Sequence, residues 1–307
     1  MISTRSSRAA VVLWGFLSPV RQPRAARGAF ACVLGLACAI CALAQRTQLR
    51  PGFNLFTPAQ DIGIGRENEK VIEKQLPMLN DRRVDDYLND LGHRLDTRVP
   101  AGTPDYPFQY KCVNDMAVNA FALPGGFIFV DRGLIEMADN ESEIAGVMAH
   151  ETAHVVLRHG TNQASKRELA TAPLSILSGL GDDSIGAALT QLGVGLGVNS
   201  LLLKNSRTDE SQADILGTQI AYDSGYDPRG LAQFFEKLQS ETKNQSIEFF
   251  SDHPNPARRV DRVMEEVDKL GGPPPHYVKD TRQFQDIKAY VHSLPPPPKP
   301  KRETPQG

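Results

Sequence analysis

The chain has 307 residues, enough for one large domain or two small ones, and its 40% hydrophobic and 23% charged residues are ordinary for a globular protein. Lys and Arg number 34 against 36 Asp and Glu, and a formal net charge of -2 gives no reason to expect nucleic acid as a partner.

The near balance hides an unusual N-terminus. Residues 1–44 hold five Arg (Arg5, Arg8, Arg21, Arg24, Arg27) and no Lys, Asp or Glu. Ala29–Ala44 then runs without charge and closes on Ala42-Leu43-Ala44, the small-x-small pattern that signal peptidase cuts. The expectation is a signal peptide over 1–44, with Gln45 as the new N-terminus. An uncleaved anchor is the alternative, although the apolar stretch is short for a bilayer span. Three of the four Cys (Cys32, Cys38, Cys41) lie in this leader. Cys112 alone remains, so the body can form neither an internal disulfide nor a Cys-based metal site.

Residues 45–56 read as a flexible lead. Thr57-Pro58 is a cap and first-turn pair that opens a helix running to about Leu79. Asp81 caps a second helix, with Val84, Leu88, Leu91 and Leu95 near a helical period. Residues 98–107 are loop. Phe108–Val113 alternates as a strand. Asn119–Leu123, a Pro124-Gly125-Gly126 turn and Phe127–Val130 form a hairpin. A helix is predicted from Asn140 to Gly160, with Asn140 and Glu143 as a capping box and Gly160 as the terminating glycine. Residues 170–203, rich in Ala, Gly, Leu and Ser, read as packed helices around a site, with a membrane-touching lid as the alternative. Helices follow at 208–223, 228–239 and 256–270, the last two opened by Asp227-Pro228 and Asn255-Pro256. The Pro-rich tail, 293–307, is expected to be extended and disordered.

The chemistry centres on His150-Glu151-Thr152-Ala153-His154. On a helix, positions i and i+4 share a face, so both imidazoles can reach one metal ion, with Glu151 beside them to take a proton from water. The motif alone arises by chance in roughly one chain in a hundred of this length, so context must carry it. The context is an apolar, capped helix in which His-Glu-His would be costly to bury without a partner.

A catalytic zinc needs a third protein ligand and an open fourth position. The position ten residues after His150 is Gly160, which excludes the pattern that places a third His there, and the inverted H-x-x-E-H motif is absent. The class that remains takes a Glu from a later helix. Glu210 and Asp214 lie i, i+4 on the predicted 208–223 helix, so Glu210 can bind zinc while Asp214 accepts a hydrogen bond from a ligand imidazole. His159, nine residues past His150, falls about 900° round a continuous helix and is predicted to face away.

Four segments occur in order: Asn119-Ala-Phe-Ala-Leu-Pro-Gly-Gly126, His150-Glu-Thr-Ala-His154, Ser206-Arg207-Thr-Asp-Glu210-Ser-Gln-Ala-Asp214 and Ser251-Asp-His253-Pro254. Together they resemble the HtpX and CAAX prenyl protease family of zinc metallopeptidases (peptidase family M forty-eight), in its exported bacterial BepA/LoiP-type branch. The resemblance spans roughly 57–292, the expected peptidase domain. It implies an α+β, mainly α-helical fold: a zincin-like (gluzincin) core with a small sheet or hairpin lining the cleft.

It implies one Zn2+ per chain on His150, His154 and Glu210, with Glu151 as general base. Arg207 and Asp214 would support the ligands. His253 would act near the metal, either stabilising the oxyanion or plugging the idle site. Asn119, Ala120, Phe121 and Ala122 would bind an extended polypeptide by strand addition. The implied function is endopeptidase activity on misfolded or stalled envelope proteins, in the periplasm, with outer-membrane association and peripheral membrane contact left open. The rival is a chaperone or assembly factor whose zinc site is non-catalytic. His253 could close such a site, but it would have no need of Glu151.

Overall fold

The computed structural model describes residues 46–171, 205–241, 249, 253 and 258–298. The chain divides at Ala44 into two units, of which Gln45–Gly307 contains all the described residues. The expected signal peptide, nearly all of the 170–203 region and most of the tail lie outside them.

Residues 46–56 form no regular element, yet they are tethered where the sequence predicts a flexible lead. Arg46 donates twice to Asp223 at 2.6 Å, and the Thr47 hydroxyl donates to the buried Glu266 at 2.6 Å. Helix α1 (Pro58–Gln75) then opens on a complete capping box: Gln60 N–H donates to the Thr57 hydroxyl, and Thr57 N–H donates to the Gln60 side chain. Helix α2 (Arg82–Asp96) is capped by Asp81 and buries Val84, Leu88, Leu91 and Leu95 as one stripe.

The sheet has three strands, β1 (Gln109–Val113), β2 (Ala120–Leu123) and β3 (Phe127–Asp131), in the order β1-β3-β2. β2 and β3 form the expected antiparallel hairpin, with Phe121 opposite Phe129. Its turn needs positive φ at Gly125 (80°) and Gly126 (103°), conformations that only glycine adopts freely. β1 lies parallel to β3, Tyr110 opposite Ile128. The outer edge of β1 is closed by side chains of α2. Asn89 donates to Tyr110 C=O and accepts from Tyr110 N–H, as a neighbouring strand residue would, and Asp85 accepts from Cys112 N–H. Cys112 is buried in β1. β2 is the other edge strand of the sheet, and among the described residues it is the strand most in contact with the central helix.

After the short helix α3 (Arg132–Met137) comes that central helix, α4 (Glu141–Val156). All 16 of its residues are buried, because it packs against α2, the sheet and two later helices, α6 (Arg207–Asp223) and α7 (Gly230–Glu241). α4 stops four residues short of the predicted end. Leu157 is its cap, Arg158 takes φ 57°, and a new helix α5 (His159–Thr171) starts at once. Gly160 sits inside α5 and does not terminate α4.

Helix α8 (Arg259–Lys269) buries Arg259, Val263, Glu266 and Val267. Its expected opening at Asn255-Pro256 lies outside the described residues. The reading along the sequence passes over helix α9 (Arg282–Ser293), although Thr281 caps it and Phe284, Ile287 and Val291 form its buried stripe. Among the described residues no helix is long and apolar enough to cross a membrane.

Candidate metal centre and active site

α4 sets His150 and His154 one turn apart, and their Nε2 atoms approach to 3.0 Å. α6 crosses behind them and presents Glu210 and Asp214, also one turn apart. Glu210 Oε2 lies 3.4 Å from His150 Nε2, and Oε1 lies 3.4 Å from His154 Nε2. Asp214 Oδ1 lies 3.2 Å from His150 Nδ1, on the far side of that ring.

His253, 103 residues after His150, is buried against the same group. Its Nδ1 is 3.0 Å from Glu210 Oε1 and 3.4 Å from His150 Nε2, and its Nε2 is 3.5 Å from Glu151 Oε1. Phe249 stacks on the His253 ring at 4.6 Å and accepts the His253 backbone N–H on its carbonyl. His150, His154, Glu210 and His253 each offer a ligand atom within 4.8 Å of the others, and all four are buried. Three imidazoles and a carboxylate converging in a buried site are the donors a divalent transition metal takes, so the residues present fit such an ion.

Electrostatics divide the group. Burial and the Arg259 charge work against the His150 imidazolium, but hydrogen bonds to Asp214 and Glu210 outweigh them and raise its pKa to about 9. Burial pushes the His154 pKa well below the ordinary histidine value, with Glu210 opposing. Glu210 is held well below the usual carboxylate range: burial would raise it, but the His253 charge and bonds from all three imidazoles win. Burial raises Glu151, against the charges of His253 and His150. It is therefore the carboxylate of the site best suited to accept a proton.

The structure brings His150, Glu151, His154, Glu210, Asp214 and His253 together. It leaves Arg207 exposed at the start of α6, away from the supporting role expected of it. The supporting arginine is Arg259. It is 1% exposed, donates to both Asp214 oxygens, reaches Glu210 Oε2 at 3.2 Å, and lies 4.0 Å over the Phe235 ring. Arg262 donates to Asp214 as well, at 2.8 Å. The sequence carries the signal: Arg259, Val263, Glu266 and Val267 recur at helical spacing, so Arg259 shares the apolar stripe and must find a buried acid. His159 is the other residue missed. Its ring lies 4.9 Å from that of His154, because the chain turns at Arg158 and does not continue as helix.

Of the expected substrate-binding residues, Ala120, Phe121 and Ala122 lie on β2. Asn119 immediately precedes it, and its carbonyl accepts from Asp131 N–H. Ala120 is buried, and Phe121 stacks on Phe129 at 5.0 Å.

Known proteins are similar to this chain in sequence. The beta-barrel assembly-enhancing protease of Escherichia coli (strain K12) is 29% identical over 238 residues, which covers 75% of this chain and 48% of that protein. The Yersinia pestis protein of the same name is 30% identical over 240 residues, 76% of this chain and 48% of its own. Metalloprotease LoiP of Escherichia coli (strain K12) is 28% identical over 191 residues, 62% of this chain and 71% of its own. The chain thus spans about half the length of the first two. The sequence profile of "Peptidase family M48" matches residues 82–267, more than half of the chain and a span that encloses every residue of the metal centre. The chain belongs to peptidase family M48.

Proposed function

We propose that the chain is a zinc-dependent metalloendopeptidase, exported to the periplasm, that hydrolyses peptide bonds of misfolded or stalled envelope proteins. Family membership implies a metal cofactor, and the convergent donors fit one. The reading of that metal as one zinc per chain rests on the His-His-Glu donor set and a helix-borne H-E-x-x-H. The peptidase domain is assigned to 57–292. Export is inferred from the leader over 1–44, and the substrate class from the names of the beta-barrel assembly-enhancing relatives.

His150, His154 and Glu210 would hold the ion, and Asp214 fixes the His150 ring by accepting from its Nδ1–H. A bound zinc would supply Lewis-acid polarisation of the peptide carbonyl and acidify water. Glu151 takes the proton from the attacking water and delivers it to the departing nitrogen. An extended substrate pairs with the open edge of β2, so that Asn119–Ala122 set the register of its backbone. His253 stands where the substrate carbonyl would lie and must move, or donate to the developing oxyanion.

The observation that carries this reading is Glu151. It is a buried carboxylate of raised proton affinity, and among the described residues His253 pairs with it at 3.5 Å. Digestion of casein by the wild type and by Glu151→Gln, with zinc measured in both, tests it. The expectation is full zinc in both proteins and proteolysis only in the wild type. A second reading is favoured by the position of His253: as a fourth protein donor it would close the site, as in a structural zinc centre of a chaperone or assembly factor. Zinc-replete wild type that leaves casein intact would select that reading.

A further inference from the structure

We propose that His159 is the positioning residue for His154. It accepts the Nδ1 proton of that ring and so leaves Nε2 bare for the metal, as Asp214 does for His150. This rests on the reading above in which His154 binds zinc through Nε2.

Two imidazole nitrogens face each other, His154 Nδ1 and His159 Nδ1, at 3.0 Å. One proton lies between them, and the outer end of the chain decides which ring owns it. His159 Nε2 is 3.1 Å from the amide oxygen of Gln212 and 3.9 Å from a carboxylate oxygen of Asp209. Both are acceptors, so the His159 proton sits on Nε2 and its Nδ1 must accept. His154 then donates from Nδ1, and its Nε2 lone pair faces His150 Nε2 and Glu210 Oε1. Reversing the polarity would put a proton on His154 Nε2, where the ion must bind.

The outer end is itself held. Asp209 Oδ2 accepts from the Gln163 side chain at 2.9 Å and from Ser206 N–H at 3.1 Å, while the other carboxylate oxygen faces His159. The turn that delivers His159 is held too. Arg158 sits at φ 57°, uncommon for a residue with a Cβ, and donates from Nε to the buried Asp61 at 2.6 Å. His159 is itself 3% exposed, so bulk solvent does not compete with Gln212 as its partner. The ligand helix α4, the next helix α5 and the Glu210 helix α6 are thus joined by one directed chain of hydrogen bonds.

The test uses the full chain in three forms: wild type, His159→Phe, which fills the space without an acceptor, and His159→Asn, whose amide oxygen can stand near the place of Nδ1. Zinc affinity is measured by competition with a chelator, and thermal melting of the metal-free proteins checks that each folds. His159→Phe should bind zinc about 10–100-fold more weakly, and His159→Asn should recover most of that loss. A packing role predicts the reverse order, since Phe fills the site better than Asn. His159→Phe binding within about twofold of wild type would overturn the proposal.

A second readout needs no variant. Nitrogen-15 NMR of metal-free wild type should show His154 as the Nδ1–H tautomer, and the Nε2–H tautomer would refute the chain. Wild type that binds no zinc would sink the ligand assignment, while the tautomer would still decide what His159 does.

Discussion

Gly217 on α6 lies directly against the backbone of His150 on α4. A Cβ at this position would fall 2.9 Å from both the Cα and the N of His150, closer than any relaxed contact. The absent side chain lets the two helices approach closely enough for Glu210 and Asp214 to reach the imidazoles. Gly217→Ala should therefore force α6 away from α4. The expected cost is about 1–3 kcal/mol of stability, the usual range for an overpacked core. Zinc should bind more weakly as well, although residue 217 is two helical turns from Glu210. Urea denaturation and chelator competition measure the two effects, and unchanged zinc affinity would show that the interhelical distance is not set here.

Arg259 neutralises a buried acidic pair, and its loss should be costly. Arg259→Met leaves Asp214 and Glu210 in a dry site without their main cation, and about 3–5 kcal/mol of stability should be lost. Arg259→Lys should not rescue it, because one ammonium cannot span both carboxylates as the guanidinium fork does. In a double-mutant cycle, Asp214→Asn added to Arg259→Met should cost much less than the sum of the single changes. Strict additivity would mean that the two residues are not energetically coupled.

Metal uptake should release a proton near neutral pH. With its pKa raised to about 9, His150 is an imidazolium at pH 7 in the metal-free protein, whereas His154, pushed well below its ordinary value, is already neutral. A ligand imidazole must be neutral, so binding expels the His150 proton. Affinity should rise with pH up to about 9 and level off above it. Calorimetry in buffers of different ionisation enthalpy should find about one proton released per ion at pH 7 and almost none above pH 10. Equal release at both pH values would contradict the raised pKa.

His253 Nδ1 lies 3.0 Å from Glu210 and 3.4 Å from His150, the residues that would hold the ion, which favours a plug over an oxyanion donor. Under that reading His253→Ala should raise basal casein cleavage and self-cleavage. An oxyanion donor would behave oppositely, its removal lowering kcat by about 10²–10³-fold. Lower activity on both casein and the protein itself would reverse the assignment.

Features of the site that depend on spacing along one helix can be read in the sequence. His150 and His154, and then Glu210 and Asp214, are i, i+4 pairs, and such pairs share a face wherever the helix lies. The hairpin is equally local, since Gly125 and Gly126 supply its turn. The end of α4 is different. Gly160 looks like a terminator, yet the left-handed residue is Arg158, held there by Asp61 from a helix almost a hundred residues earlier. The misplaced end also hid His159, because a rotation counted along a continuous helix means nothing once the helix has stopped at Val156.

The amino-acid pattern by itself determined the family, the helix that carries the motif, the convergence of two imidazoles and the candidate base. It misjudged which arginine serves the acids: Arg207 is near Glu210 in sequence but exposed, whereas Arg259 is 45 residues beyond Asp214 and buried against it. Only the tertiary structure decided that His253 faces Glu210, that Arg259 bridges the two acids, and that His159 backs His154. The reason is physical. Helical periodicity fixes direction within one element at 100° per residue, but contacts between elements are set by how closely their backbones pack, and here that closeness depends on a missing side chain at Gly217.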